Sequence, residues 1–282
     1  MSKLSEGLKA LINAAHARPT VTKAPANVRA IYSQISDSAK THHVGTPAWL
    51  TIATATTMTL NSPASLLQLH ALASQSQSKL SPTETAELMR EVGLKCISFN
   101  GIPRTINSLG AFRDGLPKDV QSQLKTEPTR EISSQNADAI VSRGRSLWNS
   151  IYRPFEDKLV DKLALSHPNL PVYIINSHYA TNLSDPDQNM PVKVGRVLTS
   201  LVAISCLRAQ TGVAPQVLSH IFGLRKAFDD GSAETDVEGG KWLAGEEGNR
   251  WILDTIDSIV ASIGGEAGTT FAPGLGQERA KL

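Results

Sequence analysis

Cysteine is nearly absent. The 282 residues contain two, Cys96 and Cys206, neither with a partner at C-x-x-C spacing. That excludes a disulfide-stapled secreted scaffold, and in a reducing compartment it leaves free thiols as the default. Each lies in an apolar stretch, where burial as a small hydrophobe is expected. Aromatic residues make up only 5% of the chain, and Leu, Ala, Ile and Ser dominate the periodic segments, which favours packed helices over a sandwich or barrel. No excess of one charge sign exists: 28 basic and 26 acidic residues are interspersed, for a formal net charge of +2. A nucleic-acid footprint and a membrane-surface patch are therefore not expected. No apolar run approaches the roughly 18 residues of a membrane span, and the N-terminus has no apolar signal core, so a soluble protein made in the cytosol is expected. His42-His43 lacks acidic neighbours and no other His/Asp/Glu spacing suggests a metal site, so no metal and no cofactor are expected.

What is present is helical patterning with clear punctuation. Ser81-Pro82-Thr83-Glu84 supplies an N-cap, a proline at the first helical position and a capping-box glutamate. Leu88, Val92, Cys96 and Phe99 then recur at three- and four-residue spacing, predicting one apolar face. Asn100-Gly101 tolerates a left-handed stop and Pro103 is pre-set for the first turn of the next helix, so the corner packs two helices with Asn100 and Arg104 beside it. Further helices are predicted over Lys3–Ala17, Val28–Lys40, Trp49–Leu60 and Val197–Gln210. Ile140, Leu147 and Ile151, with Val141 and Trp148 alongside, predict a long helix up to Pro154, and Phe155, Leu159 and Leu163 predict another. Val172–Ile175 is β-branched after Pro171 and reads equally as helix or short strand. The acidic and Gly-rich stretch Asp229–Gly248 reads as a mobile loop or lid, with Trp242 able to dock on the core.

The corner Phe99-Asn100-Gly101-Ile102-Pro103-Arg104-Thr105-Ile106-Asn107 resembles the signature turn of the carboxymuconolactone decarboxylase family, within the alkylhydroperoxidase D-like superfamily. A second stretch, Arg196 to Gly231, resembles the family's other signature, an Arg-x-x-x-Ser-Leu-Val helix, a short Gly/Pro corner and a helix carrying histidine, here His220. The family places the histidine helix before the Gly-x-Pro corner, whereas here the clearer histidine helix follows it. A duplication accounts for this: Pro63-to-His70 lines up with Pro215-to-His220, each after an Ala/Thr/Ser-rich helix, and Gly248–Gly265 fills the slot of Arg90–Gly101. The expectation is an all-α helical bundle of the alkylhydroperoxidase D-like type. It has an N-terminal extension (1–45), a first unit (46–122), a polar linker (123–134) containing Pro128, a second unit (135–265) and a flexible tail (266–282). Homo-oligomerisation is also implied.

The peroxidase branch of that superfamily carries C-x-x-C before the histidine. Here Val213 and Gln216 stand before His220, and Pro63 and Leu66 before His70, so a disulfide-cycling peroxidase is not expected. The decarboxylase-like branch implies a cofactor-independent lyase acting on a small carboxylated or lactone metabolite. Such a reaction needs a cation for the carboxylate and an acid/base group near the developing enol. His220 occupies the family's histidine position and is the first candidate acid/base, set against a purely structural histidine bonded between helices. Glu91 is the second, although Glu91 and Lys95 also read as an i,i+4 pair on a solvated face. Arg104 and Arg208 are candidate carboxylate clamps. For Arg208, in an apolar helix, the preferred reading is an ion pair between the two copies. Asn100, His178 and Tyr179 complete the candidate substrate contacts, the last two matching a His-Tyr of long family members.

Two other functions remain open: an antioxidant peroxidase-like protein using a lone thiol, Cys96 or Cys206, and a noncatalytic binding or assembly protein on the same scaffold. The terminal Ala280-Lys281-Leu282 follows a Gly/Pro/Thr-rich tail and resembles the peroxisomal tripeptide, which implies an import receptor as a partner and a peroxisomal address.

Overall fold

The computed structural model describes residues 3–17, 20–75, 79–186, 190, 192–233 and 237–265. Among the described residues the protein is all-helical, with no strand. In chain order the α-helices are α1 (Glu6–Ile12), α2 (Val28–Thr41), α3 (Thr46–Thr59), α4 (Pro63–Ala73), α5 (Pro82–Lys95), α6 (Ile97–Asn100), α7 (Ile102–Gly115), α8 (Lys118–Gln123), α9 (Ala137–Tyr152), α10 (Glu156–Ser166), α11 (Leu170–Tyr173), α12 (Gly195–Gln210), α13 (Ala214–Asp229), α14 (Gly240–Leu243) and α15 (Glu246–Gly264). A short 3-10 turn, Ala15–Ala17, follows α1, and a π-helical segment, Ile174–Leu183, continues α11.

Two helices, α3 and α12, form the centre and pack directly on one another. Both are buried around nearly their whole circumference: Ala48 through Thr59 in α3, and Arg196 through Leu207 in α12. Burial on every side is eased where polar side chains find partners within the helix itself. In α3 the Thr56, Thr57 and Thr59 hydroxyls donate to the carbonyls of Ile52, Ala53 and Ala55, four residues back, at 2.7–2.8 Å. Around this pair lie α4 and α5 on α3, α13 on α12, and α15 against both. A second, smaller core of Trp148, Ile151, Ile175, Tyr179 and Leu183 joins α9 to the π-helical segment. Their approach is close because of Gly144, where an added Cβ would come within 2.4 Å of the Ala180 Cα.

The capping box at Ser81 and Glu84 is formed, with Pro82 in the first turn of α5. Gly101 stops α6 at φ +79°, and Pro103 opens α7. Other segments stand as follows against the sequence expectations. The N-terminal helix ends at Ile12, because Leu8, Leu11 and Ile12 stay exposed and nothing buries its apolar side. Val172–Ile175 is helical, passing from α11 into the π-helix. The linker is fastened: its Arg130 pairs with Glu91. The described part of Asp229–Gly248 folds as the end of α13 and as α14, and Trp242 stacks on His42 with ring centroids 4.3 Å apart. Ala280-Lys281-Leu282 lies outside the described residues.

Candidate functional site

The sequence candidates do not converge on one pocket. Arg208 is neither buried nor free: its guanidinium forms a two-point pair with the Asp257 carboxylate at 2.9 and 2.6 Å, with both side chains about half exposed. Arg104 donates to the Thr59 carbonyl at 3.2 Å, and partial burial lowers its pKa. Asn100 is buried, its side-chain amide 3.1 Å from the Thr59 hydroxyl. His178 is half-buried against the Ser98 hydroxyl at 3.1 Å, and burial lowers its pKa.

The reading of Glu91 and Lys95 as a solvated pair is overturned, because both lie inside the protein. Lys95 is 0% exposed, its ammonium 2.6 Å from Asp185 and also donating to the Leu183 carbonyl. The second Asp185 oxygen accepts from the amides of Val194 and Gly195 at the start of α12. Burial alone would raise the Asp185 carboxyl, but Lys95, the Gly195 amide and Arg130 hold it below the usual carboxylate range. A cavity of about 670 Å³ opens beside Asp185, between the first turns of α3 and α12. Its carboxylate is already engaged with Lys95, which makes this network structural.

His220 and Tyr179 do come together, through a residue the sequence reading passed over. Tyr152 ends α9, where Pro154 prevents the helix from continuing. Its hydroxyl lies 3.0 Å from the Tyr179 hydroxyl and 3.4 Å from His220 Nε2. The three rings pack edge to face, with Trp148 against both tyrosines and Phe99 against His220. Helix α13 presents His220, Gly223, Leu224 and Ala227 inward at helical spacing. Gly223 allows close approach to Ile151 of α9, and its carbonyl accepts from Arg196 at 2.8 Å. The buried Arg196 also donates to the Ser150 hydroxyl at 2.8 Å and to the Ser200 hydroxyl.

This environment sets the titration of the cluster. Burial, then the nearby Arg196 charge, hold the His220 imidazole down at about 3, so it is neutral near pH 7. Burial raises both tyrosines. Tyr179 lies well above the usual range, while Tyr152 is pulled back by its Tyr179 hydrogen bond and by Arg196.

Tyr152 also lines a groove of about 770 Å³ between α10 and α13, closed at one end by the last residues of α9. Five cations line it, Arg153, Lys158, Lys162, Arg225 and Lys226, against a single carboxylate, Asp229. Three of the five have internal contacts: Arg153 with Glu156 at 3.4 Å, Arg225 with Glu246 at 3.7 Å, and Lys226 with the Arg153 carbonyl. The pattern Phe155, Lys158, Leu159, Lys162 was visible in the sequence as one helical face. It drew no attention because an amphipathic helix ordinarily turns such charges to water. Among the described residues no cluster of three or more His, Cys, Asp or Glu side chains could hold a metal, and no helix is long and apolar enough to cross a membrane.

No family model matches the chain, and no solved structure matches it. Over 174 residues the chain is 29% identical to Peroxisomal protein 2 of Saccharomyces cerevisiae, a similarity covering 55% of this chain and 58% of that protein.

Proposed function

We propose that the protein is a carboxymuconolactone decarboxylase-like, cofactor-independent lyase of the peroxisome, acting on a carboxylated metabolite at the α10/α13 groove. The observation that carries this is Tyr152, a residue that lines the cation-lined groove and whose hydroxyl meets the buried Tyr179 and His220. The family reading rests on the Phe99–Asn107 corner and the Arg196–Gly231 stretch. The peroxisomal address is supported by the name of the yeast relative. An import receptor as partner, and self-association, belong to the same proposal.

The role assigned to His220 changes. With a pKa of about 3 it is a poor proton acceptor, but as a neutral imidazole it serves as a hydrogen-bond partner that orients Tyr152. The Tyr152 and Tyr179 hydroxyls lie 3.0 Å apart, and with Tyr179 as the donor the Tyr152 proton is left for the substrate. The groove cations hold the carboxylate, in place of Arg208 and Arg104. The C–C bond to the departing carboxylate breaks and its electron pair becomes an enolate, whose oxygen receives the Tyr152 hydrogen bond. Carbon dioxide leaves and a proton returns to carbon. The test compares metabolites in cells with and without the protein and assays what accumulates. Tyr152→Phe should lower kcat on that substrate by roughly two orders of magnitude, with KM little changed; full turnover by Tyr152→Phe would overturn the mechanism. A noncatalytic binding role is the second reading, favoured by the low His220 pKa, and absence of any accumulating metabolite would support it.

A further inference from the structure

The groove has an apolar side as well as a charged one. Phe155 at its α10 wall is 64% exposed and Phe222 at its α13 wall is 58% exposed. Large aromatic side chains left in water on both walls of one concavity mark a binding surface, because a core has no use for them there. The charge is similarly uncommitted. Lys158 and Lys162, one turn apart on α10, have no hydrogen-bond or carboxylate partner among the described residues, and both are exposed. A volume of about 770 Å³ falls within the range of sites that enclose small organic ligands.

We propose that the α10/α13 groove binds an amphipathic anion: an acyl chain lying between Phe155 and Phe222, its acidic head group held by Lys158 and Lys162. This rests on the lyase reading only in its choice of groove, and it specifies that the carboxylated substrate has an extended apolar body. Charge complementarity selects an anion, since Lys158 and Lys162 line the groove with no carboxylate partner among the described residues. The exposed phenyl pair selects an apolar body over a small polar acid. A free carboxylate and an acyl group on a phosphate-bearing thioester carrier share this chemistry.

Calorimetric titration of the full chain with dodecanoate below its micelle concentration, dodecanol, acetate and dodecanoyl-coenzyme A tests the assignment. Dodecanoate should bind, and dodecanol and acetate should each bind at least about tenfold more weakly, because each lacks one of the two features. The pair Lys158→Gln and Lys162→Gln should weaken dodecanoate about 3- to 10-fold, with the loss shrinking at high salt. Phe222→Ser should weaken it without altering its salt dependence. Tighter binding of the thioester than of dodecanoate would support the proposal and identify the carrier-bound form as the ligand. Equal binding of dodecanoate by wild type and the double lysine variant would overturn it. So would absence of dodecanoate binding alongside lysine-dependent binding to phosphatidylserine vesicles, which would assign the face to a membrane surface. Because these titrations read binding without turnover, failure of the catalytic reading, seen in kcat, is distinguishable from failure of this one, seen in the affinity of the lysine variants.

Discussion

The Cys96 and Cys206 sulfurs lie 3.5 Å apart, both cysteines fully buried, at the contact of the α5–α6 junction with α12. Burial pushes the Cys96 thiol well above its usual range, and the neighbouring Cys206 thiol adds to the effect. The expected consequence is two thiols that are paired in space yet inert in the folded protein. Neither should react with Ellman's reagent until urea unfolds the chain. No hydroperoxidase turnover should be measurable, and Cys96→Ser with Cys206→Ser should leave any native activity nearly intact. Slow oxidation by a hydroperoxide should give an intrachain disulfide, with loss of two thiol hydrogens and reduction of the peroxide to alcohol and water. Rapid peroxide consumption that disappears in either single variant would instead establish thiol catalysis.

That pairing marks a limit of what the sequence reveals. Local signals were legible: the Ser81/Glu84 capping box, the stop at Gly101 and the apolar periodicities of α2, α9 and α10 all depend on neighbours within a few residues. Contacts between distant segments were not. Glu91 and Lys95 form a favourable surface pair in isolation, and nothing nearby in sequence announces that Asp185 and Arg130 will claim them inside the protein. Arg208 does form an ion pair, but with Asp257 of α15 in the same unit, because one side of α12 reaches solvent at that residue. Tyr152 went unnoticed because a lone tyrosine at a helix end has no pattern; its meaning comes from Tyr179 and His220 across the fold.

The Lys95–Asp185 pair ties α5 to the residues after the π-helical segment, and the same carboxylate accepts from the first amides of α12, so breaking it should loosen all three. Lys95→Met strands a buried carboxylate and should cost about 3–5 kcal/mol, as loss of one partner of a buried pair typically does. Lys95→Met with Asp185→Leu should be less harmful than the two single losses added together, since no uncompensated charge remains. Urea unfolding of the four proteins measures the coupling. Simple additivity would mean the pair contributes nothing beyond its separate parts.

Acid stability should carry the signature of His220. Its folded pKa of about 3 lies below the value of about 6.5 expected when unfolded. Between those limits the unfolded state binds more protons, so stability is full above about pH 6.5 and falls as pH drops toward 3, by at most roughly 1.4 kcal/mol per unit. Tyr152, Tyr179 and Arg196 face the ring, and none supplies a negative charge near neutrality to offset this. His70 and His178 are also lowered by burial and add to the same slope. His220→Gln should therefore flatten the pH dependence of the urea midpoint only in part, and an unchanged slope would show that His220 is accessible to protons in the folded state.

The last prediction concerns how the cluster is positioned. Tyr152 sits on α9 and Tyr179 on the π-helical segment, and their hydroxyls meet because Gly144 and Ala180 let the two elements touch. An alanine at 144 would place its Cβ 2.4 Å from the Ala180 Cα and 2.5 Å from its backbone nitrogen, neither of which can rotate away. Gly144→Ala should cost about 1–3 kcal/mol from overpacking and push α9 outward, separating Tyr152 from Tyr179. Gly110, exposed in α7 with nothing within 4 Å of an added Cβ, is the control: Gly110→Ala should stabilise by about 0.4–1 kcal/mol. In spectrophotometric titration of the folded protein, Gly144→Ala should bring the Tyr179 phenol down toward the ordinary tyrosine range as water enters, while Gly110→Ala leaves it raised. A Gly144→Ala protein with wild-type stability and an unaltered tyrosine titration would mean that the close approach at Gly144 does not set the geometry of the cluster.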